Sequence, residues 1–293
     1  MNRTYVIGFW RVDENPKRDT HHYISTLYLT LRYLAGEHIV FISDSAALND
    51  RVRDIVKADH GACHTIFMPI GELEKYRHSA VFLDAVKAYG QRRHEIEYSL
   101  KKDKGENHFR REYLKGTEAS YRAMLTIWHS KFDLLAHVAR INPFNTEELC
   151  WADASVSRFV GRRARWDFKH LALQDDKVCL YPNGMTKRGR VISYNASVLL
   201  ASARKAEYIK ARYDATLSDF ACEPYPNDEE TIIDEMVRLG HDVFTTIGHG
   251  ASDKDSARRY DARGARAHRL MTHLRKRTAF LQSNPLRQCA YFK

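Results

Sequence analysis

The feature that most constrains the fold is an alternation of short apolar runs with helix-spaced segments, starting at the first residues. TYVIGFW (4–10) is β-branched and aromatic, as a strand covered on both faces must be. After the polar loop DENPKRDT comes HHYISTLYLTLRYLAG, where Tyr23, Leu27, Leu31 and Leu34 fall at helical spacing and Gly36 marks a stop. HIVFISDS (38–45) reads as a second buried strand ending in Asp44, residues 46–59 as a short helix, and HTIFMPIG (64–71) as a third strand. Strand, helix, strand in this order implies parallel pairing with a right-handed crossover. The expectation is a single α/β domain with a mostly parallel, Rossmann-like sheet flanked by helices.

Residues 72–117 are helical in pattern and highly charged, with KKDKGENHFRRE near the middle, and are expected as a solvated insertion or a mobile loop over one sheet edge. ASYRAMLTIWHSKFDLLAHVARI (119–141) reads as one long helix packed on the sheet through Met124, Ile127, Trp128, Leu134, Leu135 and Val138. NPFN is a turn, and EELCWADASV a buried strand that emerges into a polar loop at Asp153. Strands are expected at 177–182 and 190–201, and a helix from Ala203 towards Leu217. A further helix at 227–240 has an acidic first turn suited to the helix dipole, and 241–250 reads as a last strand and loop. Residues 258–278 carry eight arginines and lysines. The domain reading is therefore 1–257 for the α/β domain and 258–293 for a basic C-terminal extension.

Apolar residues at 44% and charged residues at 29% fit a globular chain and exclude a disordered one. No apolar run approaches the ~18–20 residues of a membrane span. The apolar stretch at the N-terminus is too short for a signal-peptide core, so a cytosolic protein is expected. Five cysteines, at 63, 150, 179, 222 and 289, are widely spaced without a CxxC, which supports neither a disulfide framework nor a zinc site. The net charge of +10 favours anionic partners: nucleic acid, an acidic membrane surface or phosphorylated small molecules.

Ligands of open α/β sheets bind at the carboxyl ends of strands. Asp44, Asp153 with Ser155, and Asn195 sit at such ends. A carboxylate there is costly to bury without a partner, and a metal ion or a ligand hydroxyl can be that partner. Mg2+ and Mn2+ take oxygen ligands, often a carboxylate plus phosphates. Plainer roles stand beside these: turn or cap roles for Asp153 and Asp44, helix capping for Asp228 and Glu229, and a surface position for His249.

The run 121–159 carries Tyr121-Arg122, then Ser130-Lys131-Phe132, then Asn142-Pro143-Phe144-Asn145, then Trp151, Asp153 and Ala154, then Arg158. In this combination it resembles the HtrL/YibB family of bacterial proteins, with weaker similarity over roughly 4–250. That family is similar to GT-A-type glycosyltransferases. The resemblance implies a GT-A-like domain in which an Asp-x-Asp-like motif holds Mn2+ or Mg2+ and the diphosphate of a nucleotide sugar, a UDP-sugar above all. Here the motif reads ADAS, with Ser155 in place of a second acid. The roles so implied are metal and diphosphate binding for Asp153 with His249 as second metal ligand, donor contacts from Asp44, Lys131, Ser155 and Asn195, and general-base or acceptor-positioning duty for Asp228 or Glu229. Arg122 and Lys131 lie nine residues apart, about 2.5 helical turns, so at most one faces the site, and Lys131 is favoured.

The expected reaction is transfer of a sugar to a hydroxyl of a glycan or lipid-linked acceptor in cell-surface polysaccharide or lipopolysaccharide assembly. The basic stretch with Leu270, Met271 and Leu274 suits peripheral docking to an anionic inner membrane face. No nucleic-acid-binding motif accompanies it, so no specific nucleic acid is expected. Two alternatives remain: a non-catalytic relative that binds sugars or partners, and a nucleic-acid binder driven by charge.

Overall fold

A computed structural model describes residues 3–160, 166–174 and 177–247. In chain order the elements are β1 (Arg3–Phe9), α1 (Thr20–Tyr33), β2 (His38–Ser43), α2 (Ala46–Ala58), β3 (Ala62–Phe67), α3 (Ser79–Arg92), α4 (Lys104–His108), α5 (Glu118–His129) and α6 (Lys131–Ile141). There follow β4 (Glu148–Ala152), β5 (Val178–Pro182), β6 (Thr186–Lys187), β7 (Arg190–Val191), β8 (Tyr194–Ser202), α7 (Ala206–Phe220), α8 (Glu229–Arg238) and β9 (Phe244–Thr246). The main sheet has the order β3-β2-β1-β4-β8-β5-β9. Every pairing in it is parallel except those of β8, which runs against both β4 and β5. The expected α/β architecture is present, in one domain.

The pleat explains why the strands look uniformly apolar. Alternate residues point to opposite faces, and both faces are covered. Val6, Val40, Ile42, Leu149 and Trp151 join a core with α3, α5, α6, α7 and α8. Tyr5, Ile7, Ile39, Phe41, Cys150 and Ala152 join a second core with α1 and α2.

The long helix expected at 119–141 is two helices. Ser130 ends α5 with its hydroxyl donating to the Thr126 carbonyl at 2.7 Å, a back-bond that competes with the helical ladder. α6 restarts at Lys131, and the bend turns that side chain into the domain.

The segment 72–117 is helical in part, but it is packed rather than solvated. Phe82, Leu83, Val86 and Tyr89 enter the core, and Lys104, Glu106, His108 and Glu112 are buried. Its charges are matched from within the domain: Arg93 meets Glu106 at 2.6 Å, Lys17 meets Glu112 at 3.0 Å, and Lys104 meets Asp228 at 2.9 Å. Gly105 admits the Tyr225 ring, which would lie 2.4 Å from a Cβ there. The strand expected at 190–201 also divides, into β7 of a small β6–β7 hairpin and β8 of the main sheet. Cys63, Cys150, Cys179 and Cys222 form no disulfide with one another.

Candidate active site at the β1–β4 crossover

The chain moves from β1 outward to β2 and β3, then returns to place β4 on the other side of β1. Such a reversal leaves a crevice at the carboxyl ends of the two central strands, the place where open α/β sheets bind ligands. A cleft of about 160 Å3 lies there. One wall is the end of β1 and the loop after it, Gly8 to Val12 with Asn15, Lys17, Arg18, Thr20 and Tyr23. The other carries Trp128 and Lys131 from the α5–α6 bend and Trp151, Asp153, Ala154, Ser155 and Arg158 from the end of β4. Five of these residues are lysines or arginines, and Asp153 is the sole carboxylate among the described residues lining the cleft. The cleft is thus lined by aromatic rings and by more cationic side chains than carboxylates.

Gly8 makes this wall possible. A Cβ there would stand 2.5 Å from the Trp10 ring and 2.8 Å from Trp151. The Trp151 indole N–H donates to Asp153 Oδ1 at 2.9 Å, which fixes the carboxylate at the cleft rim. Its side chain is 23% exposed.

Behind Asp153 stands Lys131. Its ammonium reaches Asp153 Oδ1 at 2.8 Å, Glu229 Oε1 at 2.6 Å and the Ala196 carbonyl at 2.8 Å. Burial opposes the charge on Lys131, but Asp153 and Glu229 outweigh it and raise its pKa, so it stays an ammonium. Burial likewise pushes Asp153 upward. Lys131 and Arg158 more than offset this and hold its carboxyl below the ordinary value, so it is ionised at neutral pH. Glu229 is pushed up to about 7 by burial, against the pull of Lys131, and its Oε2 is buried without a hydrogen-bond partner.

The structure brings together Asp153, Ser155 and Lys131 on the cleft, with Glu229 directly behind Lys131. Asp228 lies deeper still. It caps α8 by accepting from the Thr231 N–H at 3.0 Å, and it pairs with Lys104. The capping role thus holds for Asp228, and neither it nor Glu229 lines the cleft. Asp44 sits half-buried at the end of β2 beside Arg11, and Ser45 rather than Asp44 caps α2. Asn195 is the second residue of β8 and so sits at that strand's amino end rather than a carboxyl end; its side chain accepts from the Ser197 N–H at 2.9 Å. Neither Asp44 nor Asn195 lines the cleft. His249 and the basic tail fall outside the described residues. Arg122 turns away to Ser79 and the Tyr76 ring, leaving Lys131 as the one that faces the site. Trp10, Arg18, Tyr23 and Trp128 were not anticipated, although the first three follow the carboxyl end of β1, where such sheets place ligands.

No protein-family model matches the chain, and no curated protein matches it. Among solved structures it is similar to the glycosyltransferase GlyE of Streptococcus pneumoniae TIGR4, at 11% identity and a TM-score of 0.44, over 84% of this chain and 45% of that one. The apo-form of GlyE gives 10% identity and a TM-score of 0.43, over 85% and 45%. The chain spans less than half the length of these structures.

A divalent ion such as Mn2+ or Mg2+ needs several oxygen ligands. The cleft supplies few. One oxygen of Asp153 is taken by Lys131 and Trp151, and the Ser155 hydroxyl accepts from Arg158 at 2.8 Å. The ammonium of Lys131 already supplies positive charge beside the carboxylate. The described residues do not fit a metal held by the protein. A second acidic group, Glu74, Asp133 and Asp214, lies away from the cleft and is filled by the ammonium groups of Lys75 and Lys210.

Proposed function

We propose that the chain is a GT-A-like glycosyltransferase that binds a nucleotide-sugar donor, a UDP-sugar above all, in the cleft between β1 and β4. The observation that carries this reading is the make-up of that cleft: aromatic rings and an excess of cationic side chains around one ionised carboxylate at a strand crossover. The aromatic rings offer stacking faces to a base or a sugar ring. The excess of cationic side chains draws the donor's diphosphate and stabilises the charge that builds on it as the glycosidic bond breaks. Asp153, ionised and held by Trp151 and Lys131, accepts a hydrogen bond from a sugar hydroxyl. Glu229 keeps Lys131 aimed at Asp153 and acts as a positioning residue. A glycan or lipid-linked hydroxyl of cell-surface polysaccharide or lipopolysaccharide is the acceptor this reading carries. No described helix is long and apolar enough to cross a membrane.

A thermal-shift screen of nucleotides and nucleotide sugars tests the reading. A binder at 100 times its dissociation constant adds about 2.7 kcal/mol of stability. Asp153→Asn should remove the sugar-dependent part of that shift. If no nucleotide or nucleotide sugar shifts the wild-type protein, the proposal fails. The commitment of Asp153 to Lys131 also suits a protein that binds the donor without turning it over. Donor hydrolysis in the wild type, lost in Asp153→Asn, separates the enzyme from the binder.

A further inference from the structure

The cleft's charges divide into two kinds. Arg11 is matched by Asp13 at 2.7 Å, Lys17 by Glu112 at 3.0 Å, and Lys131 by Asp153 and Glu229. Arg18 and Arg158 have no acid within ion-pair distance among the described residues. Both are exposed and line the same cleft. The side chain of Arg158 is nevertheless fixed: it donates to Ser155 Oγ at 2.8 Å, and its guanidinium lies over the Phe159 ring at 4.6 Å. Arg18 donates to the Lys17 carbonyl at 2.7 Å from the opposite wall. Tyr23 lines the same cleft; burial raises its pKa, and both guanidinium groups pull against that rise. Guanidinium forks match phosphate oxygens in geometry as well as charge.

The carboxylate that would otherwise recruit a divalent ion is already answered by a lysine. Lys131, between Asp153 and Glu229, answers the carboxylate at the floor; Arg158 acts on Asp153 only from beyond ion-pair distance, and it and Arg18 face the solvent of the cleft. We propose that the cleft grips a diphosphate through Arg18 and Arg158 without a divalent cation. The inference deepens the glycosyltransferase reading by stating how the donor's leaving group is held. Its ligand chemistry, a pyrophosphate linkage, does not depend on the sugar.

Calorimetric titration of the full chain tests it, with inorganic pyrophosphate and UDP as probes. Each titration is run in EDTA, and the UDP titration is repeated in excess MnCl2. Binding in EDTA is expected, with UDP affinity within about threefold of that in manganese. Arg158→Gln and Arg18→Gln should each weaken both probes by about tenfold or more, the loss expected for a charge-assisted contact. Both positions are exposed, so the variants should keep the wild-type melting temperature; Arg158→Lys should recover part of the loss. The inference is overturned if chelation abolishes UDP binding and manganese restores it, or if both glutamine variants bind pyrophosphate like the wild type. Pyrophosphate binding in EDTA without any sugar transfer would sink the glycosyltransferase reading and leave this one standing. Transfer that requires manganese would do the reverse.

Discussion

Two lysines of this domain are built alike and placed differently. Lys104 and Lys131 each sit between two carboxylates, Asp228 with Glu230 in one case and Asp153 with Glu229 in the other. Around Lys104 both carboxylates are closed off: side chains of Asp228 and Glu230 are 3% and 5% exposed, and Lys104 itself 11%. Around Lys131 one arm is open, since Asp153 faces the cleft. A sealed cluster can only hold the fold together, here by tying α4 to α8. The open one shares its charge with whatever enters the cleft. The same chemistry therefore serves as a fastener in one place and as the floor of a binding site in the other.

The comparison breaks most visibly at the sealed cluster. Lys104→Met strands two buried carboxylates and should cost about 3–5 kcal/mol in urea denaturation; a loss under about 1 kcal/mol would show that water reaches that cluster too. Next in size is Gly8→Ala, which forces a methyl group against two indole rings and should cost about 1–3 kcal/mol. It should also weaken donor binding, because Trp151 can no longer hold Asp153 in place.

Glu229 sharpens the contrast through pH. Its ordinary value is 4.5, and burial raises it to about 7 in the folded chain. Between these values the folded state keeps a proton that the unfolded chain has lost, so the contribution of Glu229 to stability falls as pH rises through the window. Glu229→Gln removes that slope. Urea midpoints measured from pH 4.5 to 7 should fall less steeply in the variant than in the wild type, and parallel slopes would contradict the assignment. The smallest effect is expected at the open arm. Asp153→Asn removes one of the two charges that answer the buried Lys131 ammonium, but its side chain is 23% exposed, so it should cost about 1 kcal/mol, well below Lys104→Met, while abolishing the donor-dependent thermal shift.

Much of this was legible from the chain itself. The β1–α1–β2 opening and the strand-end position of Asp153 follow from spacing and strand ends, and the structure has them; the choice of Lys131 over Arg122 counted turns along a single helix, and the chain breaks that helix at Ser130. The break at Ser130 was not legible, because apolar periodicity runs through it and a single hydroxyl back-bond makes the difference. The packing of 72–117 was hidden for another reason. A charged segment reads as solvated unless its partners are known, and those of Lys104 lie more than a hundred residues away. The cleft's other wall was missed because Trp10 reads as the last residue of an apolar strand, which in fact ends at Phe9, and Arg18 belongs to a loop with no periodicity.

The chain has four tryptophans, and three of them, Trp10, Trp128 and Trp151, surround one cleft. The fourth, Trp166, is stacked on Tyr181 with ring centroids 4.0 Å apart. The native emission of the protein is thus weighted towards its candidate site. A molecule settling there changes the surroundings of most of its fluorophores at once, so occupancy can be followed by ultraviolet excitation with no added dye.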